Sequence, residues 1–157
     1  MENIQRGPAK VVQHPELREI KYQTVEIPVT GGAASATVPS KHSASFETDK
    51  LYKRVIGIAM EIIPSAAGVN TDFLKIGRFE IQNHEAYSEG LPVKTLLNTN
   101  DVKPNDKFDR MINEEANGNK VNIDLNEFNV GAFVAYKVAI ILMLSNREED
   151  VNPPVAK

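Results

Sequence analysis

Residues 136–145, YKVAIILMLS, form the most apolar stretch of the chain and lie close to its C-terminus. Two sets of side chains alternate along this stretch, as they do in a β-strand. The first set is Tyr136, Val138, Ile140, Leu142 and Leu144, and the second is Lys137, Ala139, Ile141, Met143 and Ser145. A strand with one face in water alternates apolar and polar residues, whereas the second set contains three apolar members. The stretch therefore predicts a central strand covered on both faces.

One face of this strand would pack in the core of the domain, and the other needs a separate cover. The N-terminal arm, a loop or a neighbouring subunit would each provide it. A neighbouring subunit would make the chain an oligomer, and an intramolecular cover would not. The sequence leaves both alternatives open.

The stretch FLKIGRFEIQ, residues 73–82, contains a change of phase. Leu74 and Ile76 share one parity, and Phe79 and Ile81 share the other, so a regular strand cannot bury all four on one face. One extra residue at Gly77 would restore the register, which predicts a β-bulge there. The alternative is a regular strand with both faces partly covered.

Earlier segments also alternate with a period of two. Val25, Ile27 and Val29 predict a half-buried strand, and Pro28 on its outward phase places that strand at a sheet edge. Gly31-Gly32 predicts a tight hairpin turn with positive φ angles, with a return strand over residues 34–38. In residues 54–62 the predicted core phase is Ile56, Ile58, Met60 and Ile62, with small residues including Ala59 on the other phase.

Asn117-Gly118 is the strongest hairpin signal of the chain and precedes the alternating run KVNIDL. About eight short strands separated by Gly, Pro and Asn turns predict an all-β fold. The expected architecture is a single jelly-roll or related Greek-key β-sandwich with an extended N-terminal arm. The predicted organisation is an arm over residues 1–21, a sandwich domain over 22–146 and a polar tail over 147–157.

Composition limits the classes of function. The chain has 157 residues, a net charge of −3 and no cysteine, so we expect no nucleic-acid partner, disulfide or thiolate metal site. The N-terminal residues contain no apolar signal-peptide core. The run at 136–145 is far shorter than the roughly 20 residues of a membrane span. We therefore predict a soluble chain without a transmembrane segment.

Residues that could perform chemistry are scattered. His84, Glu85 and Tyr87, in a predicted loop, are the most site-like group. The Asn- and Asp-rich residues 98–109 offer oxygen ligands for calcium, and Asx turns account for the same composition without an ion. The sequence lacks a nucleophile elbow and a phosphate-binding loop. We expect a protein that is not an enzyme and that uses no cofactor or metal.

Three segments, YKRVIGIAMEI, GRFEIQNHEAYSEGLPVKTLL and KVAIILMLS, resemble in overall pattern the small single jelly-roll structural proteins of virus and bacteriophage particles. The resemblance covers about 110 residues from Leu51 onward and rests on no diagnostic motif. It implies an arm that runs under or into neighbouring subunits, and a sandwich that forms a shell, a vertex or a spike base.

The resulting hypothesis is a structural subunit of a virus or phage particle, located in the virion, that contacts copies of itself and other particle proteins. The predicted interface consists of arm residues and outward strand residues: Ile4, Val11, Val12, Leu17, Ile20, Ala59, Ile141 and Met143. The alternative is a non-catalytic binding module for a glycan or cell-surface ligand. Its site would be formed by His84, Glu85, Tyr87 and residues 98–109.

Overall fold

A computed structural model describes residues 18–64, 67–98, 106–109 and 112–147. The described chain forms strands β1 Ile20–Val29, β2 Ser40–Glu47, β3 Arg54–Pro64, β4 Leu74–Ile81, β5 His84–Tyr87, β6 Glu114–Glu115, β7 Lys120–Glu127 and β8 Tyr136–Ser145. A short 3-10 helix covers Val93–Thr95. The predicted all-β class is therefore confirmed for the described residues.

The strands form two antiparallel four-stranded sheets that pack into a β-sandwich. The first sheet has the order β1-β8-β3-β6 and the second has the order β2-β7-β4-β5. The pairing is nested along the chain: β1 pairs with β8, β2 with β7, β3 with β6 and β4 with β5. The β3–β8 and β4–β7 pairs then complete the two sheets. The first and the last strand of the described domain are thus hydrogen-bonded to each other.

Strand β8 is central in its sheet, as its sequence predicts. Every side chain of its first set is buried, and Ala139 and Met143 of the second set are also buried. Ile141 remains partly exposed. Strand β1 is an edge strand with Pro28 facing outward, which confirms the prediction from its alternation.

Two β-bulges adjust which side chains enter the core. The register between β4 and β7 shifts between Ile76 and Arg78, so the predicted bulge at Gly77 is confirmed. Leu74, Ile76, Phe79 and Ile81 are all fully buried as a result. A second shift, between Val55 and Gly57, is not visible in the sequence. Val55 joins the core cluster as a result, although the alternation did not predict it. Ile56 is buried as predicted, at 1% exposure, and lies outside that cluster.

Two predictions about turns need correction. Gly31 and Gly32 do not adopt positive φ angles, residues 34–38 form no sheet strand, and β1 and β2 belong to different sheets. Gly32 instead permits close approach, since a Cβ there would lie 2.7 Å from the carbonyl oxygen of Asn129. Asn117 and Gly118 do form a tight turn, with φ angles of 44° and 78°. That turn carries the chain from the first sheet to the second rather than joining hairpin partners.

A buried carboxylate joins the two sheets at one end of the sandwich. Glu127, the last residue of β7, is 0% exposed. The Tyr136 hydroxyl of β8 donates to its Oε2 at 2.7 Å, and the backbone N–H of Asn129 donates to its Oε1 at 3.2 Å. Burial raises the pKa of Glu127, while these two hydrogen bonds and nearby His42 oppose the rise. Burial also raises the pKa of Tyr136.

Deleting Gly77 should strongly destabilise the domain. Without the bulge, either Leu74 and Ile76 or Phe79 and Ile81 must leave the core, at a cost of at least about 3 kcal/mol in the free energy of unfolding. Urea unfolding measures this loss. Deletion of exposed Ala34, in the connection between β1 and β2, is the control. Equal destabilisation by the two deletions would contradict the role assigned to the bulge.

The stability of the chain should depend on pH through Glu127. Because its folded-state pKa is raised above the ordinary value of 4.5, its contribution is complete below that pH. The contribution is then lost as pH rises through the higher folded-state pKa. In the wild-type chain, the urea concentration at the unfolding midpoint should fall as pH rises from 4 upward. In Glu127→Gln this fall should be absent.

The control is Asp124→Asn in the outward surface of the second sheet. The pKa of Asp124 is lowered, so its contribution is lost as pH falls through that lower pKa. Asp124→Asn should therefore change only the acid side of the profile. An unchanged decline above pH 4.5 in Glu127→Gln would refute the assignment.

Candidate functional site

The outward surface of the first sheet contains a strip of apolar and small side chains. We call this strip the outer strip. On β8 it consists of Ala139, Ile141 and Met143, and on β3 of Gly57, Ala59 and Ile63. The register places Ile141 between Ala59 on one side and Thr24 of β1 on the other. Ala59 is 2% exposed, whereas Ile63 is 40% exposed.

A loop covers one end of the outer strip. Phe108 lies over Gly57, where an added Cβ would be 3.2 Å from the Cβ of Phe108. The ring of Tyr22 on β1 stacks at a tilt against that of Phe108, with centroids 5.4 Å apart. Backbone hydrogen bonds between Ile58 and Asp109 hold the loop segment on the edge of β3. The cover needed by Met143 is therefore intramolecular at this end of β8.

Two ion pairs flank the rest of the outer strip. Lys137 lies 3.6 Å from Glu26, and Lys107 lies 3.2 Å from Glu61. Glu26 and Glu61 stand opposite Ala139 on its two neighbouring strands. The Lys137–Glu26 pair is exposed and the Lys107–Glu61 pair is partly exposed, so water and salt screen both and each contributes little to stability. They surround Ala139 and Ile141 with charges whose signs are already balanced.

The outward surface of the second sheet is polar. The Ser43 hydroxyl donates to Asp124 Oδ1 at 2.6 Å, and the Arg78 guanidinium lies 3.1 Å from Oδ2. Lys41 lies 3.4 Å from the same oxygen. Although burial raises the pKa of Asp124, the Ser43 hydrogen bond, Arg78 and Lys41 together hold that pKa below its ordinary value. This surface is internally satisfied and suited to water, unlike the outer strip.

The structure locates only part of the predicted interface. Ala59, Ile141 and Met143 lie in the outer strip, and Ile20 is the partly buried first residue of β1, opposite Ser145. Ile4, Val11, Val12 and Leu17 lie outside the described residues. Strand β1 begins two residues before the predicted domain boundary at residue 22. Sequence reasoning missed Tyr22 and Phe108. The outward parity of Tyr22 was visible in the sequence, whereas Phe108 carries no periodic signal.

His84, Glu85 and Tyr87 do not lie in a loop, because they belong to strand β5. His84 is hydrogen-bonded to Glu114 at 3.0 Å, and Glu85 accepts a hydrogen bond from Ser88 at 2.9 Å. Tyr87 is buried, meets the ring of Phe79 edge-on and donates its hydroxyl hydrogen bond to Asp109 at 3.0 Å. Burial raises the pKa of Tyr87. The three side chains are engaged separately and do not converge on one ligand position.

The calcium alternative concerned residues 98–109, of which 99–105 lie outside the described residues. Asn98 donates its side-chain hydrogen bond to the backbone oxygen of Lys107 at 2.8 Å. A shallow cleft of about 250 Å³ lies beside this contact, with Ile58, Met60 and Leu96 among its lining residues. Within the described ranges, no three His, Asp or Glu side chains are placed to hold a metal together.

Comparison with protein-family models, with curated proteins and with solved structures finds no match to this chain. In the part of the chain that the structure describes, no helix has the length and apolar character needed to cross a membrane. The two flanks of the sandwich thus differ in character, with the apolar outer strip on the first sheet and the polar network around Asp124 on the second.

Proposed function

We propose that the chain is a structural subunit of a virus or bacteriophage particle, of the capsid, vertex or spike-base type. In this proposal a jelly-roll sandwich serves as a rigid unit that contacts copies of itself and other particle proteins. The observation that carries the proposal is the apolar outer strip, set against the polar outward surface of the second sheet. Apolar patches on a sheet flank are typical of protein–protein contact surfaces.

The nested strand pairing supports the jelly-roll interpretation. A jelly roll contains eight strands in two sheets and two Greek keys. It can be described as one long hairpin that is rolled up, so that its outermost strands pair with each other and its innermost strands form the only local hairpin. The pairs β1–β8 and β4–β5 fit that description, with β2–β7 and β3–β6 between them.

The side chains of the outer strip suit a protein–protein contact of limited area. Ile141, Ile63 and Tyr22 retain exposed apolar surface, whereas Ala59 and Ala139 are small and allow a partner to approach closely. The flanking pairs Lys137–Glu26 and Lys107–Glu61 resemble the polar rim that surrounds the apolar centre of many interfaces. Heterologous contact through this strip would build a ring if the rotation closes and an open helical filament if it does not, and a ring is the outcome that a vertex or a spike base requires.

The start of β1 supports a role for the residues that precede it. The backbone N–H of Glu19 donates to Asn146 Oδ1 at 2.8 Å, and the backbone N–H of Asn146 donates to the backbone carbonyl oxygen of Glu19 at 3.2 Å. The chain therefore enters the domain at a fixed point beside the end of β8. An arm that orders on a neighbour loses roughly 1–2 kcal/mol per residue in backbone entropy, so it must bury apolar side chains. Ile4, Val11, Val12 and Leu17 are available for this purpose.

A charge in the outer strip should weaken self-association. In Ile141→Asp, a carboxylate would have to lose its water in the contact, and the dissociation constant should rise on the order of tenfold or more. Light scattering over a concentration series measures the mass relative to the 17.4 kDa monomer. Ser45→Asp, on the polar outward surface of the second sheet, is the matched control. Assembly that is unchanged in Ile141→Asp, or a wild-type chain that is monomeric throughout, would count against contact through the outer strip.

Removal of residues 1–17 should leave a folded domain that no longer assembles, because Glu19 and β1 are retained. The second variant keeps the full length and replaces Ile4, Val11, Val12 and Leu17 with Ser. If the arm acts by burying apolar surface, both variants should reduce the assembled mass equally while the urea unfolding midpoint stays unchanged. Normal assembly of the truncated chain would refute the role of the arm and leave the outer strip as the contact.

A further inference from the structure

One end of the sandwich is formed by three connections that come together in space. The register places Val29 and Pro64 opposite Tyr136, and Ser40 and Leu74 opposite Glu127. The connections β1–β2, β3–β4 and β7–β8 therefore leave the sheets at the same end. We call residues 30–39, 67–73 and 128–135 the tip.

Backbone hydrogen bonds join the three parts of the tip. The N–H of Ala33 donates to the Asn129 oxygen at 2.7 Å, and the N–H of Phe128 donates to the Phe73 oxygen at 3.0 Å. Below them, Glu127 holds the N–H of Asn129 and the hydroxyl of Tyr136. The tip is consequently one connected surface on a rigid base.

The tip is almost free of charge. Residues 30–39, TGGAASATVP, and residues 128–135, FNVGAFVA, contain no charged side chain. The single charged residue in 67–73 is Asp72, whose carboxylate accepts a hydrogen bond from Lys94 at 3.0 Å. In a chain with 25% charged residues, connections of this total length would ordinarily contain several charged side chains.

The tip also presents apolar side chains to water. Val38 is 56% exposed, Phe73 is 47% exposed and Val130 is 61% exposed, so each of the three connections contributes one. Ile63, 40% exposed, lies one residue from the end of β3 beside them. Four of the six large apolar residues that are exposed in the described part of the chain thus lie at this end.

Lysines follow directly behind the tip. Lys41, Lys75 and Lys137 are each the second residue of their strand, counted from the tip, and all three are exposed. Their contacts are weak: Lys41 lies 3.4 Å from Asp124, Lys137 lies 3.6 Å from Glu26, and Lys75 lies 5.2 Å from the centre of the Phe128 ring. The backbones of Glu26, Glu61 and Asp124 lie two residues farther from the tip than those of the lysines, which is about 7 Å along the strand direction.

We propose that the tip docks onto the surface of an anionic lipid bilayer. Val38, Phe73 and Val130 enter the boundary between headgroups and acyl chains, where uncharged connections lose little hydration. Lys41, Lys75 and Lys137 then lie at the depth of the lipid phosphates, where Lys41 and Lys137 exchange their weak contacts with Asp124 and Glu26 for phosphate oxygens. The apolar side chains of the tip would thus face the acyl chains, and the lysines behind them would face the anionic phosphates. The acidic residues lie farthest from the membrane.

This order of layers favours a lipid over the other candidate occupants. Two copies of the tip facing each other would bring their lysines together, and like charges in a contact are unfavourable. A second copy that docked through its outer strip would need acidic residues around that strip, whereas the charges there are the pairs Lys137–Glu26 and Lys107–Glu61. The tip lies at the end of the sandwich and the outer strip on its flank, and the two surfaces meet at Ile63 and Lys137. Val130 and Lys41 belong to the tip side alone, so their variants separate docking by the tip from self-association through the outer strip.

Flotation of the full-length chain with vesicles tests the proposal. The vesicles are phosphatidylcholine alone, or phosphatidylcholine with about 30% phosphatidylserine, and added salt should weaken the attraction to the anionic vesicles. The wild-type chain should float with the anionic vesicles. Val130→Asp should reduce its affinity about tenfold, and each of Lys41→Gln and Lys137→Gln should reduce it about fivefold.

Matched controls lie at the opposite end of the sandwich. Leu51, between β2 and β3, is 81% exposed, so Leu51→Asp places the same charge on an equally apolar site away from the tip. Lys120→Gln, at the start of β7, removes one exposed lysine there. Neither variant should change vesicle binding.

A second measurement follows insertion directly. The chain contains no tryptophan, so Val130→Trp and Leu51→Trp each introduce a single tryptophan, whose emission can be excited selectively in the presence of the tyrosines. Anionic vesicles should shift the emission of Val130→Trp to the blue and leave that of Leu51→Trp unchanged. An equal shift in both variants would overturn the proposal.

Three other outcomes would also overturn it. The first is a wild-type chain that floats with neither kind of vesicle. The second is loss of binding in Leu51→Asp to the same extent as in Val130→Asp. The third is a wild-type chain that does not bind vesicles and whose mass in solution falls in Val130→Asp. That result would assign the tip to contact with a second copy of the chain.

Discussion

The simultaneous pairing of β8 with β1 and β3 is the constraint on which the rest of the fold depends. The last strand of the chain hydrogen-bonds to the first strand and to the third, so the first sheet cannot close until residues 136–145 are in place. A central position alone does not require apolar residues on both phases, since β7 is also central and its outward residues are polar. The inward phase of β8 meets the core, and Phe108 over Gly57 covers one end of its outward phase.

The outward residues of the strands then give three surfaces of different character. The second sheet presents a network of Ser43, Asp124 and Arg78 whose polar groups satisfy one another. The first sheet presents the outer strip, which a loop covers at one end. The tip presents apolar side chains with lysines behind them. A single β-sandwich can therefore present a polar flank, a partly apolar flank and an apolar end without any additional domain.

Much of the local structure was predictable because side-chain parity is a local property. The bulge at Gly77, the edge position of β1 and the burial of β8 all follow from which residues share a phase. The turn at Asn117-Gly118 was also predictable, but its partners were not. Turn chemistry sets backbone angles over a few residues, whereas membership of the first or second sheet depends on strands far away in the sequence. The error at Gly31-Gly32 has the same origin.

The sequence by itself determined the all-β class, the phase of most strands and the outward position of Ala59, Ile141 and Met143. Alternation with a period of two encodes these features directly. Only the tertiary structure decided that Phe108 covers Met143, that Glu127 lies buried between the sheets, and that Val38, Phe73 and Val130 meet at one end. Each of these is a contact between segments distant in the chain. No local pattern specifies such contacts, because they arise only when the nested strands pair.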